Sequence, residues 1–285
     1  MKKDPKLKGK IITEGCEERL INDGWQNEII KTKNLLSSGW SFADLNRFMI
    51  CTKVINNVKK KNPKVLDIGC SCGKLLQVQQ TLMREPSTKS MIYVGMDARE
   101  YATNQVLEFA NRNFSENYKG NVFAENKNIV NVKQCKEIVK KYGKFDVIVM
   151  LEVIEHIPNE FIQTVLKCLK NMLADDGVIV LSTPMHLQEN EDMWWPEAHY
   201  KEYTIKQIEE MFSGYFDIYE EIGNHVIAKS LKEKLKEDEY ANDIYKRMLR
   251  KTKNGTIINE LFCCVYNECC KGQIYIMKKK EKENV

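Results

Sequence analysis

The sequence predicts an α/β fold in which helices cover both faces of a parallel β-sheet. Short runs of β-branched and aromatic residues alternate along the chain with longer segments that repeat apolar residues at helical spacing. The short runs are apolar along almost their whole length, which is typical of strands buried on both faces. Alternation of such strands with helices favours a parallel sheet. With 285 residues, the chain is long enough for one such domain with additions.

The predicted strands and helices follow one another in regular order. The strands cover residues 65–68, 92–96, 121–124, 145–151, 178–182, 216–221 and 273–277. The helices between them cover residues 75–83, 101–113, 135–142, 159–173, 204–212 and 232–249. In the helix at 159–173, apolar residues recur at positions i, i+4, i+7, i+8 and i+11, which places them on one face. Residues 174–177 then predict a turn into the next strand.

The chain also divides into a core and additions. Apolar residues at near-helical spacing precede Pro63, where a helix should end. We therefore expect an N-terminal helical extension or cap over residues 1–60 and a core over residues 61–229. The last strand is expected to join the same sheet. Residues 230–278 are then a helical insertion followed by that strand, and residues 279–285 are a disordered basic tail.

Composition excludes several classes of protein. No apolar run approaches the roughly 20 residues that a membrane span requires, and the basic N-terminus leads into no apolar segment. We therefore expect a cytoplasmic protein with no membrane partner. In that compartment the ten cysteines are expected to be thiols. The densest group is Cys263, Cys264, Cys269 and Cys270. Adjacent residues of a strand point to opposite faces, which favours buried thiols over a zinc site there.

Positive charge is concentrated near the C-terminus. Residues 229–285 contain 14 Lys and Arg against nine Asp and Glu, whereas the rest of the chain is close to neutral. A basic segment of this kind is compatible with an anionic partner such as a nucleic acid. A solvated surface explains it equally well.

The most informative stretch is residues 65–73, which read Val-Leu-Asp-Ile-Gly-Cys-Ser-Cys-Gly. An apolar strand carries Asp67 near its end, and a loop of small residues leads into a predicted helix. Such a turn gathers backbone N–H groups and the positive end of a helix dipole around one point. Asp67 could there bind the hydroxyls of a ribose or the amine of a ligand. Alone, this is a general signal for nucleotide binding.

Two further segments stand in register with this loop. The second strand ends in Val-Gly-Met-Asp at Asp97, and the fourth strand runs into Glu-Val-Ile-Glu-His at residues 152–156. With these motifs in this order, residues 50–225 resemble the class I S-adenosylmethionine-dependent methyltransferases. The resemblance implies a Rossmann-like seven-stranded sheet with helices on both faces. It also implies S-adenosylmethionine as the cofactor.

The resemblance assigns the cofactor-binding residues. Asp97 would accept hydrogen bonds from the ribose hydroxyls, and Asn126, helped by Glu125, would face the adenine amine. The loop would surround the methionine end, and residues 150–151 would flank the sulfonium. Ser71 stands where the family usually has glycine, which restricts the backbone of the loop. The implied set is Asp67, Gly69, Cys70, Gly73, Asp97, Ala98, Asn126, Met150 and Leu151.

A second candidate site follows the fourth strand. If a helix starts there, Glu152, Glu155 and His156 share one face at positions i, i+3 and i+4. With His199 they could bind Mg²⁺ or Mn²⁺, of which Mn²⁺ accepts imidazole more readily. Alternatively His156 or His199 could act as a general base. A structural role for these side chains is the third interpretation.

The predicted function is transfer of a methyl group to a hydroxyl oxygen, with help from a metal or a histidine. The same Glu-x-x-Glu-His pattern occurs in ubiquinone-pathway O-methyltransferases and in small-RNA 3′-terminal 2′-O-methyltransferases. The core is not basic, which favours a small-molecule acceptor over a nucleic acid. Trp194 and Trp195 could cover such a substrate. A cofactor-binding scaffold subunit without activity is the alternative from another class.

Overall fold

A seven-stranded sheet forms the centre of the computed structural model, which describes residues 39–83, 91–114, 121–186, 199–252, 254–263 and 265–280. The strands are β1 (Lys64–Ile68), β2 (Ile92–Asp97), β3 (Val122–Asn126), β4 (Phe145–Leu151), β5 (Leu173–Pro184), β6 (Phe216–Val226) and β7 (Cys270–Lys279). Their order across the sheet is β3-β2-β1-β4-β5-β7-β6. The predicted α/β architecture is confirmed, and the final strand joins the same sheet.

Strand direction is mixed, which corrects the expectation of a parallel sheet. Strands β1 to β5 pair in parallel, whereas β7 lies between β5 and β6 and runs antiparallel to both. The residues of β7 from Gly272 to Met277 are all buried. Because burial on both faces produces the same apolar run in either direction, the sequence pattern of β7 carried no information about its direction.

The described part of the chain contains nine α-helices. They are α1 (Gly39–Asn57), α2 (Lys74–Met83), α3 (Glu100–Asn113), α4 (Val132–Tyr142), α5 (Asn159–Met172), α6 (Ile205–Phe212), α7 (Ala228–Lys234), α8 (Glu239–Thr252) and α9 (Gly255–Leu261). Short 3₁₀ helices span Ile154–His156 and Asn267–Cys269. The single helix predicted at 232–249 is in fact α7 and α8. Asp238 separates them, because its carboxylate accepts from the Ala241 N–H at 2.9 Å and starts a new helix.

Alternate residues of the central strand β4 point into two separate layers of core. Ile148 packs with the apolar residues of α4, α5 and α6, whereas Val147 and Val149 pack with those of α1, α2 and α3. The alternation follows from the twofold period of a strand. Helices therefore cover both faces of the sheet, as predicted.

Helix α1 precedes the first strand, and helices α7 to α9 lie between β6 and β7 in the sequence. Helix α1 packs against α2 and β6 within the second core layer, and residues 1–38 lie outside the described residues. The turn predicted at 174–177 belongs to β5, where the pairing with β4 shifts register. Strand β7 extends to Lys279, so the first residue of the predicted tail is in the sheet, and residues 281–285 lie outside the described part.

The insertion has a small core of its own. Helices α7 to α9 bury side chains such as Leu231, Tyr245 and Phe262 against one another. Cys263, Cys269 and Cys270 are buried free thiols in this cluster, and Cys264 lies outside the described residues. Among the helices of the described part, none combines the length and apolar character needed to cross a membrane.

The two-layer core predicts a clear difference between two leucines. Leu169 in α5 is fully buried, whereas Leu107 in α3 is 37% exposed. Leu169→Ala should lower the free energy of unfolding by about 2–5 kcal/mol, because it leaves a cavity between helix and sheet. The matched control Leu107→Ala should cost less than about 1 kcal/mol. Urea denaturation measures both, and equal losses would contradict the packing described here.

Candidate active site

The loop between β1 and α2 is a tight turn with three residues in the left-handed region. Gly69 and Gly73 have φ angles of 69° and 75°, and Ser71 between them has 49°. The Gly69 N–H donates to the Met96 carbonyl at 2.7 Å, and the Gly73 N–H donates to the Cys70 carbonyl at 2.9 Å. The loop is thus fastened to the end of β2. Glycine is needed at 69 for a second reason, because a Cβ there would collide with Val153.

Ser71 adopts the conformation that glycine would adopt more readily. A positive φ is uncommon for serine and stores backbone strain. The Ser71 N–H donates to Asp97 Oδ2 at 3.0 Å, which compensates by attaching the loop to the acid at the end of β2. This hydrogen bond helps to hold Ser71 in the left-handed conformation. Cys70 and Cys72 on either side are buried.

Asp67 is buried beneath this loop, and only 5% of its surface is exposed. The Tyr93 hydroxyl donates to its Oδ2 at 2.6 Å. Burial raises the pKa of Asp67 to about 7, and the nearby charge of Asp97 adds to the rise, although the bond from Tyr93 opposes it. A buried carboxyl group with a pKa near neutrality beneath such a loop is typical of a functional site.

Asp97 lies at the carboxyl end of β2 and is also 5% exposed. In addition to the Ser71 N–H, it accepts from three groups of Arg99: the backbone N–H and Nε at Oδ1, both at 3.0 Å, and Nη2 at Oδ2, at 3.1 Å. Burial alone would lower the pKa of Arg99, but the hydrogen bond and charge of Asp97 raise it. Sequence reasoning missed Arg99; its position two residues after Asp97 was the available signal.

The residues predicted near the adenine lie at the adjacent strand end. Asn126 is exposed, pairs with Asp97 across the sheet, and donates to the Asp97 carbonyl at 3.2 Å. Ala98 is exposed beside them. Glu125 is engaged elsewhere, because it accepts from Lys141 at 2.7 Å and from the Tyr142 hydroxyl at 2.6 Å. Glu125 thus has partners other than the expected ligand.

Met150 and Leu151 end β4 but are placed differently. Met150 is fully buried in the core layer of α4 and α5, whereas Leu151 is partly exposed and packs toward α1 and α2. Of these two residues, only Leu151 is partly exposed to solvent at the carboxyl end of β4.

The helix expected directly after β4 is a three-residue 3₁₀ turn, Ile154–His156, and Glu152 lies outside it. Glu152 has a left-handed φ of 54° and accepts from the Ser182 hydroxyl at 2.7 Å. Glu155 accepts a hydrogen bond from the hydroxyl of Thr183, the residue that follows Ser182 in β5, at 3.2 Å. Because consecutive residues of β5 point to opposite faces of the sheet, the two acids bind hydroxyls on different faces.

A buried arginine on α1 binds Glu152. Arg47 Nη1 lies 3.0 Å from Glu152 Oε1, and Arg47 also pairs with Asp44 one turn earlier. Burial would lower the pKa of Arg47, but the negative charges of Glu152 and Asp44 outweigh it and raise the pKa. Sequence reasoning missed this group. The spacing of Asp44 and Arg47 at i and i+3 on an otherwise apolar helix face could have indicated it.

Glu155 is almost completely buried, with 1% of its surface exposed. Burial, followed by the charge of Glu152, raises the pKa of Glu155 well above its usual range. Its Oε1 has no hydrogen-bond partner among the described residues. The burial of Tyr203, followed by the charge of Glu155, raises the pKa of Tyr203 to about 12. The Oε1 atom of Glu155 is therefore a buried oxygen that a hydrogen-bond donor or a cation could stabilise.

Two histidines complete the group. Glu155, His156 and His199 each place one carboxylate oxygen or imidazole nitrogen, atoms that can bind a metal, within 4.8 Å of the other two. The two imidazole rings pack edge to face, with 4.8 Å between their centroids. His199 is brought there by the next residue, because the Tyr200 N–H donates to the Glu155 carbonyl at 2.7 Å. Glu152, the fourth predicted ligand, is not part of this cluster.

A buried acid orients His199. Its Nδ1 lies 2.9 Å from Glu202 Oε1, and Glu202 is 6% exposed. Because a carboxylate accepts, this bond assigns a proton to Nδ1 and leaves the lone pair of a neutral ring on Nε2. That tautomer suits a metal ligand or a base. Glu202 was also missed from sequence. The predicted lid residues Trp194 and Trp195 lie outside the described residues.

Comparison with known proteins agrees with this fold and loop. A sequence model of a family described as "Methyltransferase domain" matches residues 44–242, and the chain belongs to that family. Its architecture is that of the class I S-adenosylmethionine-dependent methyltransferases. The ubiquinone biosynthesis O-methyltransferase of Haemophilus ducreyi is 28% identical over 167 residues, which are 55% of this chain. The match spans 64% of the length of that relative.

Solved structures show the same fold at low sequence identity. The methyltransferase domain of bacterial CtHen1-C has a TM-score of 0.53 at 14% identity, over 83% of this chain and 98% of that domain. The 1,6-didemethyltoxoflavin-N1-methyltransferase of Burkholderia thailandensis has a TM-score of 0.57 at 10% identity, over 99% of this chain and 92% of that enzyme. The small RNA methyltransferase HEN1 has a TM-score of 0.53 at 16% identity, over 84% of this chain and 25% of that protein.

The raised pKa of Asp67 predicts a pH dependence of stability. In the unfolded chain the carboxyl titrates near its ordinary value of 3.8, and in the folded chain it titrates at about 7. Between those values the folded state binds more protons, so the free energy of unfolding falls as the pH rises. Asp67→Asn removes this contribution, and its stability relative to wild type should increase from pH 4 to pH 7. Urea denaturation across that range measures it; a constant difference would contradict it.

Proposed function

We propose that this protein is an S-adenosylmethionine-dependent methyltransferase that methylates a hydroxyl oxygen of a small molecule. The observation that carries the proposal is the convergence of Glu155, His156 and His199 beside the carboxyl ends of β4 and β5. Ligands of open α/β sheets bind at this edge. The name of the Haemophilus ducreyi relative, an O-methyltransferase, supports oxygen as the acceptor atom.

The residues present fit the cofactor. The loop from Gly69 to Gly73 offers backbone with little side chain, directly before the N-terminus of α2. Asp97 would bind the ribose hydroxyls and Asn126 would face the adenine, while Leu151 would contact the part of the cofactor nearest the acceptor. S-adenosylmethionine supplies the methyl group when bound. Alignment of the acceptor is then the main task of the chain.

The cluster of Glu155, His156 and His199 would receive the acceptor hydroxyl. A divalent cation, Mg²⁺ or Mn²⁺, would suit these donors, and two imidazoles favour Mn²⁺. It would give the unpartnered Glu155 Oε1 a partner and would lower the pKa of a bound hydroxyl. Without a metal, His199 Nε2 would accept the hydroxyl proton as a general base. In both cases Glu202 keeps His199 in the required tautomer.

A ribose 2′-hydroxyl of RNA is the second candidate acceptor. The basic segment 229–285 favours it, since neutralising phosphates is the main source of affinity for nucleic acids. One solved structure of similar fold is named a small RNA methyltransferase, HEN1. A vicinal ribose diol would present the same pair of oxygens to the cluster as a catechol does.

Methyl transfer from radiolabelled S-adenosylmethionine to catechols, single phenols and RNA with a free 3′ diol tests the proposal. With the accepted substrate, His199→Ala should lower kcat/KM by about 10²–10⁴-fold, as loss of a base or metal ligand does. Glu202→Gln should lower it by about 10–100-fold, since it loosens the orientation of His199.

The control for these variants is Glu210→Gln, an exposed acid on α6 that should leave the rate unchanged. Activity lost with EDTA and restored by Mn²⁺ would favour the cation, and activity that resists EDTA would favour His199 as base. If the wild type methylates none of these acceptors, the result would favour the interpretation as a scaffold subunit without activity. Equal rates for all variants would contradict the assignment of the cluster.

A further inference from the structure

The carboxylate of Asp97 has no acceptor position left for a ligand. A carboxylate offers about four lone-pair sites, and Asp97 accepts four hydrogen bonds. Two come from the backbone N–H groups of Ser71 and Arg99, which shape the loop and the start of α3. The other two come from Nε and Nη2 of the Arg99 guanidinium, one to each oxygen.

We propose that the Arg99 guanidinium is an internal competitor for the ribose-binding acid, and that it must leave Asp97 before the cofactor can bind. This inference rests on the proposed binding of S-adenosylmethionine. A guanidinium presents two parallel donors to the two oxygens of a carboxylate. The 2′ and 3′ hydroxyls of a ribose present two donors in a similar way, so the two groups compete for the same oxygens.

The exposure of the two side chains supports displacement of Arg99 rather than of the acid. The Asp97 side chain is 5% exposed, whereas that of Arg99 is 24% exposed, so the guanidinium covers the acid from the solvent side. Helix α3 begins at Glu100 and does not use the Arg99 side chain as a cap. The guanidinium can therefore move away while both backbone bonds to Asp97 remain.

The consequence is a cofactor affinity lower than the site alone would give. The apparent affinity of a ligand is reduced by the fraction of protein in the competent state. The ion pair is partly shielded from water, which favours the closed state more than an exposed pair would. When the ribose leaves, Arg99 can take its place again, so the pair would also assist release of the spent cofactor.

Isothermal titration of S-adenosylhomocysteine into wild type and variants tests the proposal. Arg99→Ala should bind on the order of tenfold more tightly, which corresponds to an open fraction of about one tenth in the wild type. Arg99→Lys should lie between them, because one ammonium cannot reproduce both donors. The control is Arg112→Ala, an exposed arginine on the same helix that pairs with Glu108 and should bind like wild type.

A second ligand pair identifies the ribose as the competing group. Adenosine should gain affinity in Arg99→Ala, whereas 2′,3′-dideoxyadenosine, which lacks both hydroxyls, should not. Thermal unfolding midpoints of the variants near that of wild type would show that the loop is intact. A merely structural role of Arg99 would instead lower the midpoint and weaken every ligand.

The outcomes separate this inference from the proposed function. If the wild type binds S-adenosylhomocysteine and Arg99→Ala binds it equally tightly or more weakly, the proposed competition is wrong. The methyltransferase proposal would still stand. An equal gain for the dideoxy compound would overturn the competition as well. Failure of every variant, wild type included, to bind S-adenosylhomocysteine would overturn both.

Discussion

The alignment of β4 with β5 fixes the positions of both acids that follow β4. Leu151 pairs with Ser182 in the sheet, and the Glu152 N–H donates to the Ser182 carbonyl at 3.0 Å. The hydroxyls of Ser182 and Thr183 then point to opposite faces, and each binds one acid. Glu152 is thereby directed to the arginine on α1, and Glu155 to the two histidines. The two acids of the Glu-x-x-Glu-His motif therefore contact different groups of residues.

Strain and unfavourable burial concentrate along the same edge of the sheet. Ser71 and Glu152 have left-handed backbones, and the buried carboxyls of Asp67 and Glu155 have raised pKa values. A fold retains such costs where the surrounding structure over-determines them, which is common at functional sites. The opposite edge is different in character. There Asp175 is exposed and pairs with lysines, which lowers its pKa to about 2.

Burial periodicity and short-range spacing were sufficient to predict the order of the strands, the loop after β1 and the position of Asp97 at the end of β2. They were insufficient wherever a contact joins distant segments. The direction of β7, the pairing of Arg47 with Glu152, and the orientation of His199 depend on tertiary packing that no local pattern encodes. Arg99 is an intermediate case, since it is a neighbour of Asp97 in sequence but its effect depends on the direction of its side chain.

Titration of Mn²⁺ into S-adenosylhomocysteine-saturated protein distinguishes the role of Glu152 from that of Glu155. Glu155→Gln should abolish binding, because it removes a ligand of the cluster. Glu152→Gln should bind Mn²⁺ as wild type does while its thermal unfolding midpoint falls, because Arg47 loses a charged partner in a buried site. Equal loss of Mn²⁺ binding in both variants would contradict the different roles of the two acids, whereas no binding to wild type would exclude the cation and leave His199 as the general base.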